Sequence, residues 1–111
     1  MAIQIKNFLT KRLESAQTTQ YTVGAGSTVI IDKVTSTNTD VVNVDVSVNL
    51  VDSGDTPGLQ NLVADARTLA PGESYTHPEL GGQVLEEGEY FSTLTSVPLG
   101  ITMRISGREI T

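Results

Sequence analysis

The sequence predicts an all-β protein: an antiparallel β-sandwich of the immunoglobulin-like or jelly-roll kind with an extended N-terminal arm. Apolar and polar residues alternate with a period of two in several segments, as in strands with one buried face. About seven or eight short strand patterns follow one another at intervals of roughly 8–12 residues, separated by Gly- and Pro-rich turns. The 111 residues correspond to a single domain, since domains commonly contain about 100–150 residues.

The clearest strand is predicted over residues 41–51. Apolar side chains occupy every second position of this segment, and polar side chains occupy most of the positions between them. In a strand, this pattern directs one face to a core and the other to water, which is typical of an antiparallel sheet. The apolar series is Val42, Val44, Val46, Val48 and Leu50, and the polar series is Asn43, Asp45, Ser47 and Asn49.

Two hairpins are predicted from strand-like segments that flank glycine-containing turns. The flanking segments are rich in Thr, Val, Ile and Tyr, which favour strands, and the glycines suit turns that need a positive φ. The first hairpin joins residues 18–23 to residues 28–36 through residues 24–27, and the last joins residues 90–97 to residues 101–110 through residues 98–100.

Residues 59–70 fit two periodicities. The spacing of Leu59, Leu62, Val63 and Ala66 suits one or two helical turns, whereas alternate residues from Leu62 onward suit a strand. An isolated helix of this length is marginally stable. We therefore expect a loop followed by a strand, and two further short strands at residues 74–77 and 83–85.

The charges are distributed unevenly along the chain. The net charge of −6 comes from 7 basic and 13 acidic residues, which argues against a nucleic-acid partner. Lys6, Lys11 and Arg12 lie in the first twelve residues, and all the acidic residues follow later in the chain. We therefore divide the chain into an N-terminal arm, residues 1–15, and a β-sandwich domain, residues 16–111.

The arm combines cationic and apolar side chains, as a segment that binds an acidic protein surface would. It also fits an ordinary first strand with solvated lysines. Burying five apolar side chains would contribute roughly 8–15 kcal/mol, but ordering about a dozen residues costs a similar amount. One arm would bind weakly, and two arms of a dimer would bind more tightly together. The predicted partner-binding residues are Ile3, Ile5, Lys6, Phe8, Leu9, Lys11, Arg12 and Leu13.

The residues that could carry chemistry favour structural roles. The chain has no Cys and one His, which excludes thiol nucleophiles and a histidine metal cluster within one chain. We predict that His77 is a surface or turn residue, because no nucleophile-elbow motif accompanies it. Asp52 and Asp55 suit a turn better than a calcium site, and residues 86–89 suit a solvated turn. We expect no enzyme activity, no cofactor, no metal and no membrane span.

Several segments together resemble a known family. These are residues 19–31 (TQYTVGAGSTVII), a turn with Asn38, residues 71–74 (PGES) and residues 84–89 (VLEEGE). Their order and the chain length are similar to those of the capsid decoration proteins, also called cement or staple proteins, of short-tailed enterobacterial phages. The resemblance covers most of residues 16–110.

The resemblance implies a jelly-roll-like sandwich on the outer capsid surface of a virion, made in the host cytoplasm. It also implies a homodimer whose partner is the major capsid protein and which stabilises the shell against internal DNA pressure. The family carries no catalytic residues. We expect the arm to lie across capsid subunits while the edges of two sandwiches meet at a two-fold axis.

Two other functions remain open at this stage. A carbohydrate-binding sandwich for adhesion to the host surface would expose Tyr75, Tyr90 and His77 in one groove. A tail or neck component with the same fold would be present in six or twelve copies per particle instead of hundreds.

Overall fold

The computed structural model describes residues 2–111, which form nine β-strands and one short 3-10 helix at Leu59–Asn61. No helix among the described residues is long and apolar enough to cross a membrane. In chain order the strands are β1 (Ile3–Arg12), β2 (Thr18–Thr22), β3 (Thr28–Asn38), β4 (Val44–Val51), β5 (Leu62–Leu69), β6 (Ser74–Thr76), β7 (Val84–Leu85), β8 (Tyr90–Thr95) and β9 (Ile101–Ile110).

The strands form two antiparallel sheets packed face to face, which confirms the predicted all-β sandwich. The first sheet has the order β1-β9-β3-β6, and β7 also pairs with β3. The second sheet has the order β2-β8-β4-β5. Each sheet contributes aliphatic side chains to one buried core between them. The jelly-roll arrangement stays a prediction.

The alternation predicted for residues 41–51 is observed from Val44 to Val48, beyond which Asn49 and Val51 are both buried. Val44, Val46 and Val48 are fully buried, and Leu50 packs against the same core. The strand begins three residues later than predicted because a turn occupies the preceding residues. The Asn38 side chain fixes this turn by donating hydrogen bonds to the carbonyl oxygens of Val42 and Leu69, both at 2.8 Å.

Both predicted hairpins are wrong. Strand β2 pairs with β8 in the second sheet, whereas β3 pairs with β9 in the first. Residues 24–27 therefore carry the chain from one sheet to the other, and residues 96–100 do the same between β8 and β9. Turn residues mark a reversal of the chain, but the partner of each strand depends on packing between residues distant in sequence.

The segment predicted as an extended arm is the edge strand of the first sheet. Strand β1 pairs antiparallel with β9 from Ile3, opposite Ile110, to Arg12, opposite Thr102. The following residue, Leu13, is fully buried in the core. The separate arm is thus not confirmed, because residues 3–12 pair with β9 while Phe8, Leu9 and Leu13 pack on or in the core of the sandwich.

Residues 59–70 form one 3-10 turn followed by β5, as expected for a loop and a strand. The strand is interrupted at Ala66, whose φ of +45° lies in the left-handed region. The Ala66 amide donates a hydrogen bond of 2.8 Å to the Ser47 hydroxyl of the neighbouring strand. The strand alternative is thus confirmed from Leu62 onward, and helical structure is limited to the single turn at residues 59–61.

Candidate functional site: an apolar and basic sheet face

Side chains on the outer face of the first sheet lie in rows that cross its strands. Ile5 of β1 lies opposite Arg108 of β9, and Arg108 lies opposite Ile30 of β3. Ile30 in turn lies opposite Val84 of β7. Because directly paired residues share a face, these four side chains form one row across the sheet.

The next row brings further apolar side chains to the same end of the sheet. Ile3 lies opposite Ile110, which lies opposite Thr28. We name this surface the apolar end of the face. It consists of Ile3, Ile5, Ile30, Val84 and Ile110.

The apolar end is open to solvent. Ile5 is 91% exposed, Ile3 59% and Val84 49%. Scattered exposed aliphatic residues are common, but a contiguous group of them marks a surface that binds another molecule. This group is therefore the strongest candidate site for interaction.

Basic side chains lie among Ser and Thr residues on the rest of this face. Its strands carry Arg12, Lys33, Arg104 and Arg108 at outward positions, whereas Asp32 is the one acidic residue on this face, since Glu109 of β9 lies on the inward side. These are four of the seven basic residues of the chain and one of the thirteen acidic residues. This face is therefore more positively charged than the rest of the molecule.

Asp32 is engaged by one of these cations. Arg108 donates to its two carboxylate oxygens at 2.9 and 3.2 Å, and this pairing raises the pKa of Arg108 above its usual value. Lys33 and Arg104 are exposed on the same face. A face with this excess of positive charge attracts an acidic surface.

A β-bulge at Phe8 determines which apolar residues of β1 face outward. The pairing with β9 shifts between Asn7 and Leu9, so Phe8 is an extra residue. Before the bulge, Ile5 points to solvent, whereas after it Leu9 lies opposite the buried Ile105. Phe8 itself packs against Tyr21, with ring centroids 4.9 Å apart. The bulge therefore divides the apolar residues predicted as one binding set.

The predicted basic residues of the arm already have partners within the chain. Lys6 Nζ lies 3.2 Å from Glu109 Oε1, and Lys11 Nζ lies 2.8 Å from Glu14 Oε1. The Arg12 guanidinium donates two hydrogen bonds, at 2.8 and 3.1 Å, to the Leu99 carbonyl oxygen. The contacts of Lys6 and Arg12 hold β1 against the sandwich, whereas the Lys11–Glu14 pair is local to the end of the strand.

The ion pairs shift the titration of their carboxylates. Hydrogen bonds from Lys6 and the Tyr21 hydroxyl lower the pKa of Glu109, and the bond from Lys11 lowers the pKa of Glu14. Burial and the Glu109 carboxylate together raise the pKa of Tyr21 to about 12. Of the eight predicted binding residues, only Ile3 and Ile5 belong to the apolar end, and Leu13 belongs to the core.

His77 is buried, not on the surface, and it begins a turn, as the other half of the prediction has it, since the Leu80 amide donates to its carbonyl oxygen at 3.3 Å. Its Nε2 lies 2.7 Å from the Ser36 hydroxyl, and its Nδ1 lies 3.2 Å from a Glu79 carboxylate oxygen. Burial lowers the pKa of His77, and the neighbouring Glu79 partly opposes this shift. The ring also packs edge-on against Tyr75, with centroids 4.9 Å apart.

The Ser36–His77–Glu79 arrangement has the order of a hydrolytic triad but lacks access. Ser36 is 0% and His77 1% exposed, so a substrate carbonyl cannot approach the serine oxygen in this structure. The His77 amide donates to the Val34 carbonyl oxygen at 3.0 Å. The network therefore fastens the chain after β6 to β3.

The acidic residues at 86–89 stabilise turns, as the sequence predicts. Glu86 accepts a hydrogen bond from the Thr28 hydroxyl at 3.1 Å, and Glu87 accepts one from the Gly26 amide. Asp55 likewise accepts a bond from the Thr56 amide at 2.8 Å, which lowers its pKa. The described residues contain no group of three or more His, Cys, Asp or Glu placed to hold a metal ion.

The aromatic residues of the carbohydrate alternative do not share a groove. Tyr75 lies in β6 of the first sheet beneath the Arg67 guanidinium, which is 4.0 Å from its ring centroid. Tyr90 lies in β8 of the second sheet, and its hydroxyl donates to the Asp55 carbonyl oxygen at 2.9 Å. With His77 buried, no sugar-stacking platform forms from these three residues.

A cleft of about 280 Å³ between the two sheets contains the amide side chains of Asn61 and Gln83, each of which already donates a hydrogen bond within the chain. The Asn61 amide donates to the Thr56 carbonyl oxygen at 2.9 Å. The Gln83 amide donates to the Glu79 carbonyl oxygen at 3.1 Å. The cleft is thus a weaker candidate for binding than the exposed sheet face.

Comparisons with protein-family models, with curated proteins and with solved structures gave no match for this chain. The candidate site therefore rests on the sequence and the geometry described above.

Proposed function

We propose that this chain is a non-catalytic attachment protein that decorates the outer surface of a viral capsid and staples neighbouring major capsid protein subunits. The observation that supports the proposal is the outer face of the first sheet, where an exposed apolar end lies beside an excess of basic side chains. The sequence resemblance to phage capsid decoration proteins is the reason for naming a capsid as the target.

A preformed sheet face suits attachment better than a flexible arm would. Fully burying an aliphatic side chain such as Ile5 contributes about 1.5–3 kcal/mol. Strand β1 is already ordered by its pairing with β9, so binding does not incur the cost of about 1–2 kcal/mol per residue for ordering its backbone. The basic residues would orient this face towards an acidic surface on the capsid.

The remaining surface suits a protein that is present in many copies. Of the thirteen acidic residues, twelve lie elsewhere than on this face. Like charges on these other surfaces would keep free copies apart. Association with a second copy, the predicted homodimer, is tested by the sedimentation of the purified protein at several concentrations.

Binding of purified protein to undecorated capsids tests the proposal. Ile5→Asp places a charge in the apolar end, and Val41→Asp makes the same change at a residue that is 88% exposed but lies outside that face. Ile5→Asp is expected to lose most of its co-sedimentation with capsids, whereas Val41→Asp retains it. The proposal is wrong if the wild-type protein fails to bind capsids or if both variants saturate them equally.

The number of copies per particle distinguishes decoration from the tail or neck alternative. Quantitative mass spectrometry of purified particles is expected to give hundreds of copies. Six or twelve copies would instead assign the chain to a tail or neck.

A further inference from the structure

We propose that the free edge of β1 accepts an extended acidic segment of the partner as an additional strand of the first sheet. This inference rests on the proposed function and names the kind of contact that attachment uses. The segment would alternate apolar and acidic side chains and would pair with residues 3–7, ahead of the bulge at Phe8.

The alternation of bonded and non-bonded residues along β1 shows which of its backbone N–H and C=O groups have no partner in β9. The amides of Ala2 and Thr111 each donate to the other's carbonyl oxygen at 2.9 Å, so these two residues form a bonded pair. In an antiparallel ladder, bonded and non-bonded pairs alternate. The N–H and C=O groups of Ile3, Ile5 and Asn7 therefore face away from β9.

These free backbone groups lie next to the most exposed apolar side chains of β1. Ile3 and Ile5 stand on the outer face at the same positions that offer free backbone groups. An added strand would satisfy those groups and would place its own apolar side chains against the apolar end. A single added strand would thus bind both the free backbone groups and the exposed side chains of Ile3 and Ile5.

The charge of β1 selects the occupant. Lys6 lies on the other face of the strand within the segment that would be paired, its side chain is 43% exposed beside its ion pair with Glu109, and residues 3–12 contain no acidic residue. A second copy of β1 would bring its own Lys6 towards this one, which is unfavourable between neighbouring strands. An acidic side chain on the incoming strand would be attracted to the same position.

The bulge limits the length of the added strand. Beyond Asn7 the pairing register shifts at Phe8, and such irregularities oppose continuous pairing along an edge. The Arg12 guanidinium also contacts the Leu99 carbonyl oxygen at the far end of β1. A partner segment of about five to seven residues would therefore suffice.

Two synthetic peptides test the proposal with the full chain. The first is a capped heptapeptide of alternating glutamate and valine, and the second has lysine in place of glutamate. By NMR, the glutamate peptide is expected to slow hydrogen exchange of the Ile3 and Ile5 amides about tenfold or more, because they become hydrogen-bonded. The lysine peptide is expected to leave their exchange unchanged.

Two substitutions at one residue separate strand addition from contact with the side chain alone. Ile5→Ala removes most of the side chain and keeps the amide, whereas Ile5→Pro removes both. Strand addition predicts that Ile5→Pro binds the glutamate peptide about tenfold more weakly than Ile5→Ala, since one backbone hydrogen bond is lost. Exchange at the Gln4 and Lys6 amides reports whether the β1–β9 ladder remains intact in each variant.

The results separate this inference from the proposed function. Strand addition is overturned if the glutamate peptide does not protect these amides, if both peptides protect them equally, or if the two substitutions weaken binding equally. Capsid binding without peptide binding would leave the proposed function in place and remove the inference. Peptide binding without capsid binding would support strand addition but would exclude the capsid as the partner.

Discussion

Ile5 and Ile30 lie on opposite sides of Arg108 in the first sheet, although 25 positions separate them in the sequence. Their alignment comes from the central position of β9, which pairs with β1 on one side and β3 on the other. A face that combines these apolar side chains with Arg108 exists only because the first and last strands of the chain are neighbours.

The basic residues of the face should govern the rate and salt dependence of attachment. Lys33→Glu is expected to lower the association rate with capsids several-fold at low salt, and the difference should shrink as salt screens the charges. Arg67→Glu makes the same charge change in β5 of the second sheet. Surface plasmon resonance with immobilised capsids measures both rates, and equal slowing by the two variants would refute a role for this face.

Leu13 should contribute to stability as a core residue. Because its side chain is fully buried, Leu13→Ala is expected to lower the free energy of unfolding by about 2–5 kcal/mol. Ile5→Ala should change it by no more than about 0.5 kcal/mol, since Ile5 is exposed. Urea unfolding measures both values. A small effect at Leu13 would mean that the N-terminal segment separates from the sandwich in solution.

Gly107 should be required for the close approach of β9 and β3. A Cβ atom at this position would overlap the Ile30 carbonyl oxygen, whereas one at Gly24 would meet no atom within 4 Å. Gly107→Ala is expected to destabilise the protein by about 1–3 kcal/mol through overpacking. Gly24→Ala is its matched control. Thermal unfolding that shows the same Tm for both variants would contradict the paired register of these strands.

His77 should make stability depend on pH in the mildly acidic range. Burial lowers its pKa in the folded state below the ordinary value of 6.5, so the unfolded chain binds a proton first as the pH falls. The contribution of neutral His77 is present above pH 6.5 and decreases from there down to its folded-state pKa. The groups that surround the ring are Ser36, Tyr75, Glu79 and the more distant Arg67.

The unfolding free energy between pH 7.5 and pH 5 measures this dependence. His77→Gln lacks the titrating group, and its stability should decline less over that range than the stability of the wild-type protein. The carboxylates contribute equally to the pH dependence of both proteins. The difference between the two slopes of unfolding free energy against pH therefore reports His77. Identical slopes would show that His77 gains its proton equally in both states.

The local sequence predicts most strands correctly because alternation and turn residues act over short distances. Val44, Val46 and Val48 are buried as their spacing indicates. The turn at residues 86–89 also forms as predicted, and its glutamates bond to neighbouring backbone and hydroxyl groups. Strand and turn assignments need no knowledge of which strands are paired.

The candidate site could be predicted only in part. The apolar residues Ile3 and Ile5 stand out in the sequence because they lie among basic residues. Arg108 and Lys33 were missed, since both lie within a segment whose total charge is acidic. The alternation of Thr102, Arg104 and Ser106 with buried neighbours was the available signal for an outward basic row on β9.

The sequence by itself determined that the chain forms strands, where most turns lie and that Val44, Val46 and Val48 face the core. Tertiary structure decided that residues 3–12 form an edge strand, that neighbouring strands enter different sheets and that His77 is buried. The physical reason is that backbone N–H and C=O groups are the same in every strand. The choice of partner therefore depends on how side chains distant in sequence pack together, which no short pattern records.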